Sequence, residues 1–573
     1  MMHDYLAIDV HFARLMCDLG ATRDPAIYQL FAQLSQALRQ QHSCIDLAQR
    51  DDTAALVAKL LTLPCVGQPD SGQWAAGAQA SPLILERNKL YLQRYYQYEC
   101  RIAAELIKRN QPLPLADPRV LRQIMTDQFG ANLTTVNWQA VATLQALTRG
   151  LTVITGGPGT GKTTTVLKLL QAFAALPGNE HAIVKLAAPT GKAAMRLNQG
   201  LRQDQDTDKP VVEVQTLHRL LGMRMDGRSW RHDARHPLTV DLLIVDEVSM
   251  VDLAMMDRLL RALPAHCQLV LLGDPDQLPA VETGNFLMDI CRYPAGYSAA
   301  FHDLAAAALG TDLPINPAEH KLKDALCRLT KSYRFDADQG IGQLARAIQQ
   351  GGPIQGNEQV SIRPIIELQQ HPSLLLAPFT DYLALAADTN CTAGELLDQF
   401  EQTRILSAVR EGDYGVEHLN LAIEAQLLAT GFRTGPTFYH GRPIMIMRND
   451  YALGLFNGDV GICLFNLEDQ RFHVAFRDSD GAIMTHLASR LPPHETCFVM
   501  TVHKSQGSEF NAVTLVLQAA ASPRAEQLVS RELLYTAVTR SRQRIILYSS
   551  EAHLNEALNT HARRDSGLAE RFL

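Results

Sequence analysis

Apolar residues along the chain follow two patterns that alternate. Short, uninterrupted apolar runs at 151–154, Leu242–Val245 and 269–272 have the length of strands buried on both faces of a sheet. Residues 164–173 instead place their apolar side chains at three-and-four spacing, which predicts an amphipathic helix. Strands and helices that alternate in this way predict α/β domains with parallel sheets.

Two other regions show different patterns. Apolar residues at helical spacing predict helices over 6–19 and 95–106, and the segments 83–85 and 90–92, on either side of a polar turn, predict a small hairpin. The alternation of residues 471–476 predicts strands much later in the chain. We therefore expect a separate, mostly helical N-terminal region and an all-β insertion.

Composition is that of an ordinary globular protein. The 573 residues are too many for one core and suit three or four domains. A net charge of -7 gives no overall attraction to nucleic acid, so any DNA contact must be local. Ten cysteines without a C-x-x-C pair argue against a disulfide framework and a thiolate metal site.

The sequence also lacks the signs of a membrane or secreted protein. No apolar run approaches the roughly 18 residues of a membrane span. Asp4 and Asp9 stand where the start of a signal peptide would be basic. We therefore expect a cytoplasmic protein that does not contact a membrane.

The strongest chemical signal follows the first apolar run. The pattern G-x-x-x-x-G-K-T between a predicted strand and a predicted helix is typical of a phosphate-binding loop, whose glycines let backbone N–H groups face phosphate oxygens. Lys162 is expected to reach the β and γ phosphates, and the Thr163 hydroxyl to ligate Mg²⁺. A plain Gly-rich turn is the competing interpretation. The predicted nucleotide-binding residues of this loop are Gly156, Gly157, Pro158, Gly159, Thr160, Gly161, Lys162, Thr163 and Thr164.

A pair of carboxylates ends the second apolar run. Asp246 and Glu247 follow it directly, at the strand end where parallel sheets place their ligand chemistry. We expect Asp246 to hold Mg²⁺ and Glu247 to orient and deprotonate the attacking water. The alternative is that these two residues only begin an ordinary acidic loop. Together with the phosphate loop, the pair predicts a nucleoside triphosphatase.

Further motifs, in order from Gln139 to Arg542, resemble those of superfamily 1 DNA helicases. The resemblance implies two RecA-like domains that use ATP and Mg²⁺. It assigns Gln139 to reading the adenine edge, since an amide can both donate and accept hydrogen bonds there. It assigns Gln277 to sensing the γ-phosphate.

The same resemblance assigns three charged residues to the facing side of the ATP site. Arg334 and Arg540 correspond to two arginine fingers, and Glu509 to a residue that touches the ribose. An isolated arginine is usually a solvated surface charge. Two arginines, each inside a motif and both in the half without the phosphate loop, favour the finger role.

The resemblance also implies a DNA-contacting set on both domains. Thr190 has a second interpretation as a helix N-cap, and both roles can hold at once. His218 is equally compatible with a structural role. The predicted DNA-binding residues are Pro189, Thr190, Lys192, Thr216, His218, Thr501, His503 and Lys504.

Within this superfamily, the motif sequences are most similar to those of the RecD family, the α subunits of exodeoxyribonuclease V. The segments that carry the likeness are 156–166, 186–194, 331–335, 441–450 and 455–461. The resemblance implies 5′ to 3′ movement along single-stranded DNA from DNA ends, in double-strand break repair and homologous recombination. It implies RecB and RecC as partner subunits, with the nuclease in RecB. The alternatives are a stand-alone RecD-like helicase and a regulatory DNA-dependent ATPase that unwinds little.

Boundaries follow from these assignments. We expect an N-terminal region over 1–115 that docks on RecC or merely caps the protein. A first RecA-like domain over 116–326 carries a polar insertion at about 223–237, which is either a protruding hairpin that parts DNA strands or an ordinary surface loop. A second RecA-like domain over 327–573 carries an SH3-like insertion at about 435–493.

Two further interpretations are weak. Asp312 with 319–321 faintly imitates a nuclease pattern of carboxylates and lysine, but no credible strand carries it. His232 and His236 could suggest zinc, but no further ligand lies nearby in the sequence. Neither changes the prediction of a DNA motor.

Overall fold

The structure is a computed structural model. It describes residues 5–573 apart from 49, 70–80, 115–116, 131–134, 204–213, 225–226, 228, 295, 335–338, 389, 434, 436, 451, 479–480 and 519–528. The described chain contains four β-sheets. Two are parallel and two contain antiparallel pairs.

The N-terminal region combines helices with a small sheet. Its elements are α1 (Ala7–Leu19), α2 (Pro25–Arg39), β1 (Cys44–Asp46), α3 (Thr53–Leu60), β2 (Val66–Gly67), β3 (Leu83–Glu86), β4 (Lys89–Leu92) and α4 (Gln93–Arg109). Both predicted helices and the predicted hairpin are confirmed. The hairpin turns at Arg87 and Asn88, whose φ angles of 48° and 60° give the twist that a two-residue connection needs. The small sheet has the order β1-β4-β3-β2.

The first α/β domain is built on a six-stranded sheet. Its elements are α5 (Pro118–Phe129), α6 (Trp138–Thr148), β5 (Leu151–Gly156), α7 (Lys162–Ala174), β6 (Val184–Ala188), α8 (Gly191–Gln203), β7 (Val214–Thr216), α9 (Leu217–Leu220), β8 (Leu242–Val245), α10 (Leu253–Ala262), β9 (Gln268–Gly273), α11 (Phe286–Cys291), α12 (Ala299–Leu309) and β10 (Leu326–Leu329). The strand order is β10-β5-β9-β8-β6-β7, and every pair is parallel.

Both faces of this sheet are buried, as the apolar runs predicted. Successive residues of a strand point to opposite faces, so Val153 packs in one core and Ile154 in the other. Strand β10 pairs with β5, so this sheet continues to Leu329. That corrects the boundary predicted at 326, because the last strand of the first domain only begins there.

The second α/β domain has a five-stranded parallel sheet with the order β11-β20-β19-β12-β18. The helix 340–350 packs in a core on one face of the sheet, and the other helices before the insertion pack in a core on the opposite face. The elements up to the insertion are α13 (Gly340–Gln350), β11 (Val360–Pro364), α14 (Ile366–Gln370), α15 (Thr380–Ala386), α16 (Ala393–Phe400), β12 (Thr403–Ser407) and α17 (Val416–Ala429).

An antiparallel sheet interrupts the second domain, as predicted. Its order is β16-β15-β14-β13-β17, and the predicted alternation at 471–476 lies in β15. The sheet extends to Thr496, past the predicted end at 493, because β17 pairs with β13. The remaining elements of the chain are β13 (Arg442–Ile446), β14 (Val460–Asn466), β15 (Arg471–Arg477), β16 (Ile483–Leu487), β17 (His494–Thr496), β18 (Val499–Thr501), β19 (Phe510–Leu517), α18 (Arg531–Val538), β20 (Ser541–Ser549) and α19 (Glu551–Asn559).

The insertion at 223–237 is folded back on the first domain. Met223 and Trp230 form an antiparallel bridge, while Asp226 between them lies outside the described residues. The Trp230 ring lies 5.6 Å from the ring of His218 and 4.5 Å from the Arg258 guanidinium. The described residues thus form a short hairpin, with backbone hydrogen bonds from Arg224 to Ser229 at 2.9 Å and from Arg231 to Gly222 at 3.0 Å, whose Trp230 packs on the first domain. Its role in parting DNA strands stays a prediction.

The last residues of the chain leave the second domain. We call 560–573 the C-terminal strap. Arg564 donates to the carbonyls of Glu282, at 2.8 Å, and Gly284, at 2.6 Å, in the first domain, and Phe572 lies in that domain's core. The expected second domain to residue 573 is therefore too long, since the strap packs elsewhere. The strap joins the second domain to the first.

The part of the chain that the structure describes carries few other special features. No described helix is long and apolar enough to cross a membrane. All ten cysteines are free; Cys291 and Cys391 are half-buried and the others buried. Among the described residues, no three His, Cys, Asp or Glu side chains gather as a metal site, and His232 Nδ1 instead lies 3.2 Å from the His236 carbonyl.

Candidate active site between the two α/β domains

The phosphate loop lies between β5 and α7, as its sequence predicts. Gly159 and Gly161 adopt φ angles of 75° and 80°, a left-handed conformation that side chains disfavour. The Lys162 ammonium donates to the carbonyl oxygens of Gly156 at 2.6 Å and Gly157 at 3.3 Å. The loop therefore curls around its own lysine, which stands at the start of α7.

The glycines also permit a close approach from outside the loop. A Cβ at Gly159 would overlap the Cβ of Arg334, and one at Gly161 would overlap the amide nitrogen of Gln139. The backbone N–H of Tyr333 donates to the Gly159 carbonyl at 2.7 Å. The segment that leads into the second domain thus lies directly on the loop.

Carboxylates end the neighbouring strands of the first domain. Burial, reinforced by the charge of Glu247, raises the pKa of Asp246 to about 6, against the opposing effect of Lys162. Burial likewise raises the pKa of Asp274 to about 6. Asp274 follows β9 and was not singled out from the sequence, although it stands beside Gln277 in a recognised motif. These acids form an anionic wall that a cation would stabilise.

Both predicted arginine fingers line the same cavity as Lys162. This cavity has a volume of about 330 Å³. Arg540 is only 2% exposed, and it donates to the Gln277 side chain at 3.0 Å and to the Ser508 carbonyl at 3.2 Å. Burial lowers the pKa of Arg540 and of Arg334. The predicted convergence of two arginines on the phosphate loop is present in the structure.

Glu509 lies among three arginines at the edge of this cavity. Its side chain is 4% exposed, and its carboxylate pairs with Arg334 at 2.6 Å, with Arg542 at 3.1 Å, and with Arg196. Burial opposes the charged form, but Arg196 and Arg334 overcome it and lower the pKa of Glu509 to about 2. In this arrangement the carboxylate is paired with guanidinium groups while it also lines the cavity of Lys162. Its contact with the ribose stays a prediction.

A second cavity, of about 210 Å³, adjoins the first. Gln139 lines it and donates to the Gly161 carbonyl at 3.2 Å. Tyr333 lines both cavities and is 62% exposed. Sequence reasoning missed Tyr333 and Arg196. Tyr333 stands beside Arg334 in a motif, so its position was a usable signal, whereas Arg196 reaches the cavity only through the tertiary fold.

The segment 273–279 joins the two domains. Leu278 donates its N–H to the Thr536 hydroxyl at 2.8 Å, and its carbonyl accepts from the Gln506 amide at 2.9 Å. Tyr535 donates its hydroxyl to Asp274 at 3.2 Å. This loop of the first domain is therefore hydrogen-bonded to the second domain beside the cavity.

The expected DNA-binding residues of the first domain lie at helix starts. Thr190 accepts from the Ala193 N–H and Thr216 from the Arg219 N–H, both at 3.2 Å, which makes each an N-cap. Pro189 is half-buried. The remaining two, Lys192 and His218, are partly buried as well, and burial lowers the pKa of both.

Those of the second domain lie together at the end of β18 and just after it. Thr501 accepts from the Lys504 N–H at 3.3 Å. Burial and then the charge of Arg564 lower the pKa of His503 to about 4, so its ring is neutral near pH 7. The Lys504 ammonium lies 3.9 Å from a Glu495 oxygen. The two groups of residues thus lie one on each α/β domain.

Family models match three parts of the chain. Residues 138–283 match an AAA domain, 496–548 a UvrD-like helicase C-terminal domain, and 6–91 the N-terminal domain of RecBCD enzyme subunit RecD. The first two matches span the phosphate loop and the segment of Arg540, respectively. The three matches follow the order of the observed regions.

Curated relatives match nearly the whole chain. RecBCD enzyme subunit RecD of Mycolicibacterium smegmatis is 35% identical over 98% of this chain and 97% of that protein. RecBCD enzyme subunit RecD of Haemophilus influenzae is 33% identical over 86% of this chain and 81% of that protein. The ATP-dependent RecD2 DNA helicase of Deinococcus radiodurans is 30% identical over 88% of this chain but 61% of that protein.

Proposed function

The chain belongs to the RecD family of RecBCD enzyme subunits, and from that membership we propose that it is an ATP-dependent DNA helicase. It moves 5′ to 3′ along single-stranded DNA. The observation that supports this most directly is the shared cavity, in which Lys162 of the phosphate loop faces Arg334 and Arg540. A triphosphate bound there would touch both sides of the cleft.

ATP would bind with its phosphates on the loop 156–163. The Lys162 ammonium would exchange its loop carbonyls for the β and γ oxygens. The residues present also suit Mg²⁺, since Asp246 is a buried carboxylate near the Thr163 hydroxyl and a hard cation prefers such oxygens. When bound, Mg²⁺ neutralises phosphate charge. Glu247, on the same cavity, would orient the attacking water.

The adenine base would occupy the adjoining cavity. Gln139 presents an amide there, which can pair with the base edge. Tyr333 presents an exposed ring between the two cavities, where it can stack on a flat base. The ribose contact expected of Glu509 would compete with the arginines that pair with this carboxylate.

Movement would follow from opening and closing of the cleft. Arginine charge delivered to a γ-phosphoryl group from a facing domain is worth about 10³ to 10⁵ in rate, so hydrolysis is fast only when the domains are closed. Arg540 is hydrogen-bonded to Gln277, which lies in the loop that joins the domains. A γ-phosphate that binds Arg540 can therefore shift this loop. Chemistry and domain motion are thereby coupled.

DNA would be held by both α/β domains in turn. Thr190, Lys192 and the segment 216–218 lie on one, and Thr501 and 503–504 on the other, so a change in the cleft changes the spacing of two grips. Stacking lost per opened base pair averages about 1.4 kcal/mol, which one nucleotide-driven step can supply.

We further propose that the chain works in the cytoplasm with RecB and RecC on DNA ends, in double-strand break repair and recombination. The N-terminal region supports a docking role. On α1, Ile8, Leu15 and Leu19 are 61%, 54% and 50% exposed, which is unusual for leucine and isoleucine on one helix. The stand-alone helicase alternative is less well supported, because RecD subunits match over nearly their full length.

Strand separation with purified protein tests this function. The full chain, alone and with its co-purified partners, is mixed with ATP and a duplex that carries either a 5′ or a 3′ tail. We expect unwinding of the 5′-tailed duplex, and none by Lys162→Ala, because this change removes the contact to the γ-phosphate. Unwinding by the variant at the wild-type rate would contradict the ATP site. ATP hydrolysis without unwinding in every preparation would favour the regulatory ATPase.

A further inference from the structure

An arginine outside the family motifs lines the phosphate cavity. Arg196 lies on α8, and its guanidinium pairs with the Glu509 carboxylate. Burial raises the pKa of Asp246, and the Arg196 charge opposes that rise. For Arg540, burial lowers the pKa and the Arg196 charge lowers it further. Arg196 is therefore within electrostatic reach of the acid that we assign to Mg²⁺ and of an arginine finger.

The helix that carries Arg196 contacts the second domain at its first turn and the phosphate loop near its end. Its N-cap is Thr190 of the DNA-facing set. In its first turn, the Cβ of Ala193 lies 3.5 Å from where a Cβ of Gly507 in the second domain would stand. One turn after Arg196, Gly200 approaches Thr163 so closely that a Cβ would lie 2.8 Å from its methyl group. A shift of α8 therefore moves Arg196 relative to the phosphate loop.

Charge is unbalanced around Glu509. One buried carboxylate faces three guanidinium groups, of Arg196, Arg334 and Arg542, and Arg540 lies nearby. An excess of guanidinium groups beside a cavity favours an additional anion. Arg196 and Arg334 line the cavity beside Lys162, whereas Arg542 does not. The anion that suits this side is the terminal phosphate of a triphosphate, with oxygens that accept several N–H groups at once.

We propose that Arg196 is a third arginine for the γ-phosphoryl group, and that Glu509 holds Arg196 and Arg334 in place until a triphosphate takes over their hydrogen bonds. This rests on the proposed ATP site. Arg196 comes from the domain that carries the phosphate loop, unlike the two expected fingers. Glu509 then acts as a competitor of the γ-phosphate, and its removal should strengthen ATP binding.

The test compares a triphosphate with a diphosphate. Calorimetry with the full chain measures the affinity for β,γ-imido-ATP and for ADP, each with Mg²⁺. For Arg196→Ala we expect the triphosphate affinity to fall about 10-fold while ADP affinity holds, since one charge-assisted contact is lost at the γ position only. Arg196→Lys keeps the charge and should lose less. For Glu509→Gln we expect triphosphate affinity to rise, by about 3- to 10-fold.

Two controls make the result specific. Arg542→Ala removes an ion pair with the same carboxylate from outside the cavity and should leave the ratio of the two affinities unchanged. Gln199→Ala changes an exposed residue of α8 and should do nothing. Melting curves show which variants fold, and Glu509→Asp, which withdraws the carboxylate by one methylene, replaces Glu509→Gln if the latter does not.

The possible outcomes distinguish failure of the Arg196 proposal from failure of the proposed ATP site. Equal loss of both affinities in Arg196→Ala would show a structural role and overturn the proposal, with the ATP site intact. Weaker binding of both nucleotides to Glu509→Gln would instead indicate a ribose contact. A wild-type chain that binds neither nucleotide would remove the ATP site and, with it, this proposal.

Discussion

The two α/β domains have similar parallel sheets but place different groups at the cavity between them: buried acids beside Lys162 on the first, and arginines around Glu509 on the second. The first ends its strands in carboxylates, and burial raises the pKa of Asp246 and Asp274 to about 6. From the other side come Arg334 and Arg540, and burial lowers the pKa of both. Each wall is electrostatically unfavourable by itself. The difference teaches that the site is a property of the assembled cleft and of neither sheet alone.

Removal of the arginine wall is expected to have the largest effect. Arg334→Ala and Arg540→Ala should each lower DNA-stimulated kcat about 10³-fold or more, because the charge delivered to the γ-phosphoryl group is lost. ATP binding should persist, since the phosphate loop is unchanged. Turnover under saturating ATP and binding of a labelled analogue measure the two quantities.

A matched arginine gives the control for these variants. Arg544 is exposed on the same strand, β20, that follows Arg540. Arg544→Ala should keep wild-type turnover. If Arg334→Ala and Arg540→Ala both kept it as well, the contrast between an acidic wall and a cationic wall would have no functional meaning.

A methyl group between the walls should have an intermediate effect. In Gly159→Ala the new Cβ overlaps the Cβ of Arg334, at a φ of 75° that also disfavours alanine. Displacement of the arginine by about 1 Å can cost about 100-fold in rate. Steady-state ATPase measures this loss.

Strain and displacement can be told apart with a second glycine. Gly310 has a φ of 65° and no atom within 4 Å of a built Cβ. Gly310→Ala therefore carries a similar backbone strain without the overlap, and it should lower the melting temperature but not turnover. Equal loss of turnover in both variants would mean that close approach of Arg334 to the loop is unimportant.

The smallest effect concerns the stability of the acidic wall. The pKa of Asp246 in the folded state, about 6, lies above the ordinary value of 3.8. Its protonated form is thus favoured by folding, and that stability is lost as the pH rises through 6. Asp246→Asn should raise the free energy of unfolding by about 1 to 3 kcal/mol at pH 8 and by little at pH 4, while it abolishes ATPase activity.

Denaturant titrations at the two pH values test this sign. Asp312→Asn serves as the control, because the Asp312 side chain is 92% exposed and gains nothing from burial. A destabilised Asp246→Asn at pH 8 would contradict the claim that the carboxylate is strained in the absence of a cation.

The sequence was sufficient for features that depend on local pattern. The runs at 151–154, Leu242–Val245 and 269–272 became strands β5, β8 and β9, since buried parallel strands need continuous apolar residues. The loop 156–163 was predictable because its spaced glycines are needed for the backbone N–H groups to face phosphate oxygens. The hairpin around Arg87 followed from two short apolar segments and a polar turn.

Features that depend on distant partners could not be predicted in this way. Arg196 lies on an ordinary amphipathic helix, and only the fold brings it to Glu509. The end of the first domain at Leu329 depends on the pairing of β10 with β5. The ribose role of Glu509 was predicted from a motif, and no local sequence pattern predicts that arginines surround this residue.

The C-terminal strap has a consequence for how the chain is made. Glu99 is wholly buried in α4, and its counter-charge is Arg571, 3.6 Å away, with further bonds from Ser566 and Gly567. A buried carboxylate without such partners is costly. Because Arg571 follows Glu99 by 472 residues (571 − 99) in the chain, the N-terminal region is synthesised long before the partner of its buried acid. Nascent protein that ends before Arg571 carries both motor sheets yet an N-terminal region whose buried acid has lost its guanidinium partner.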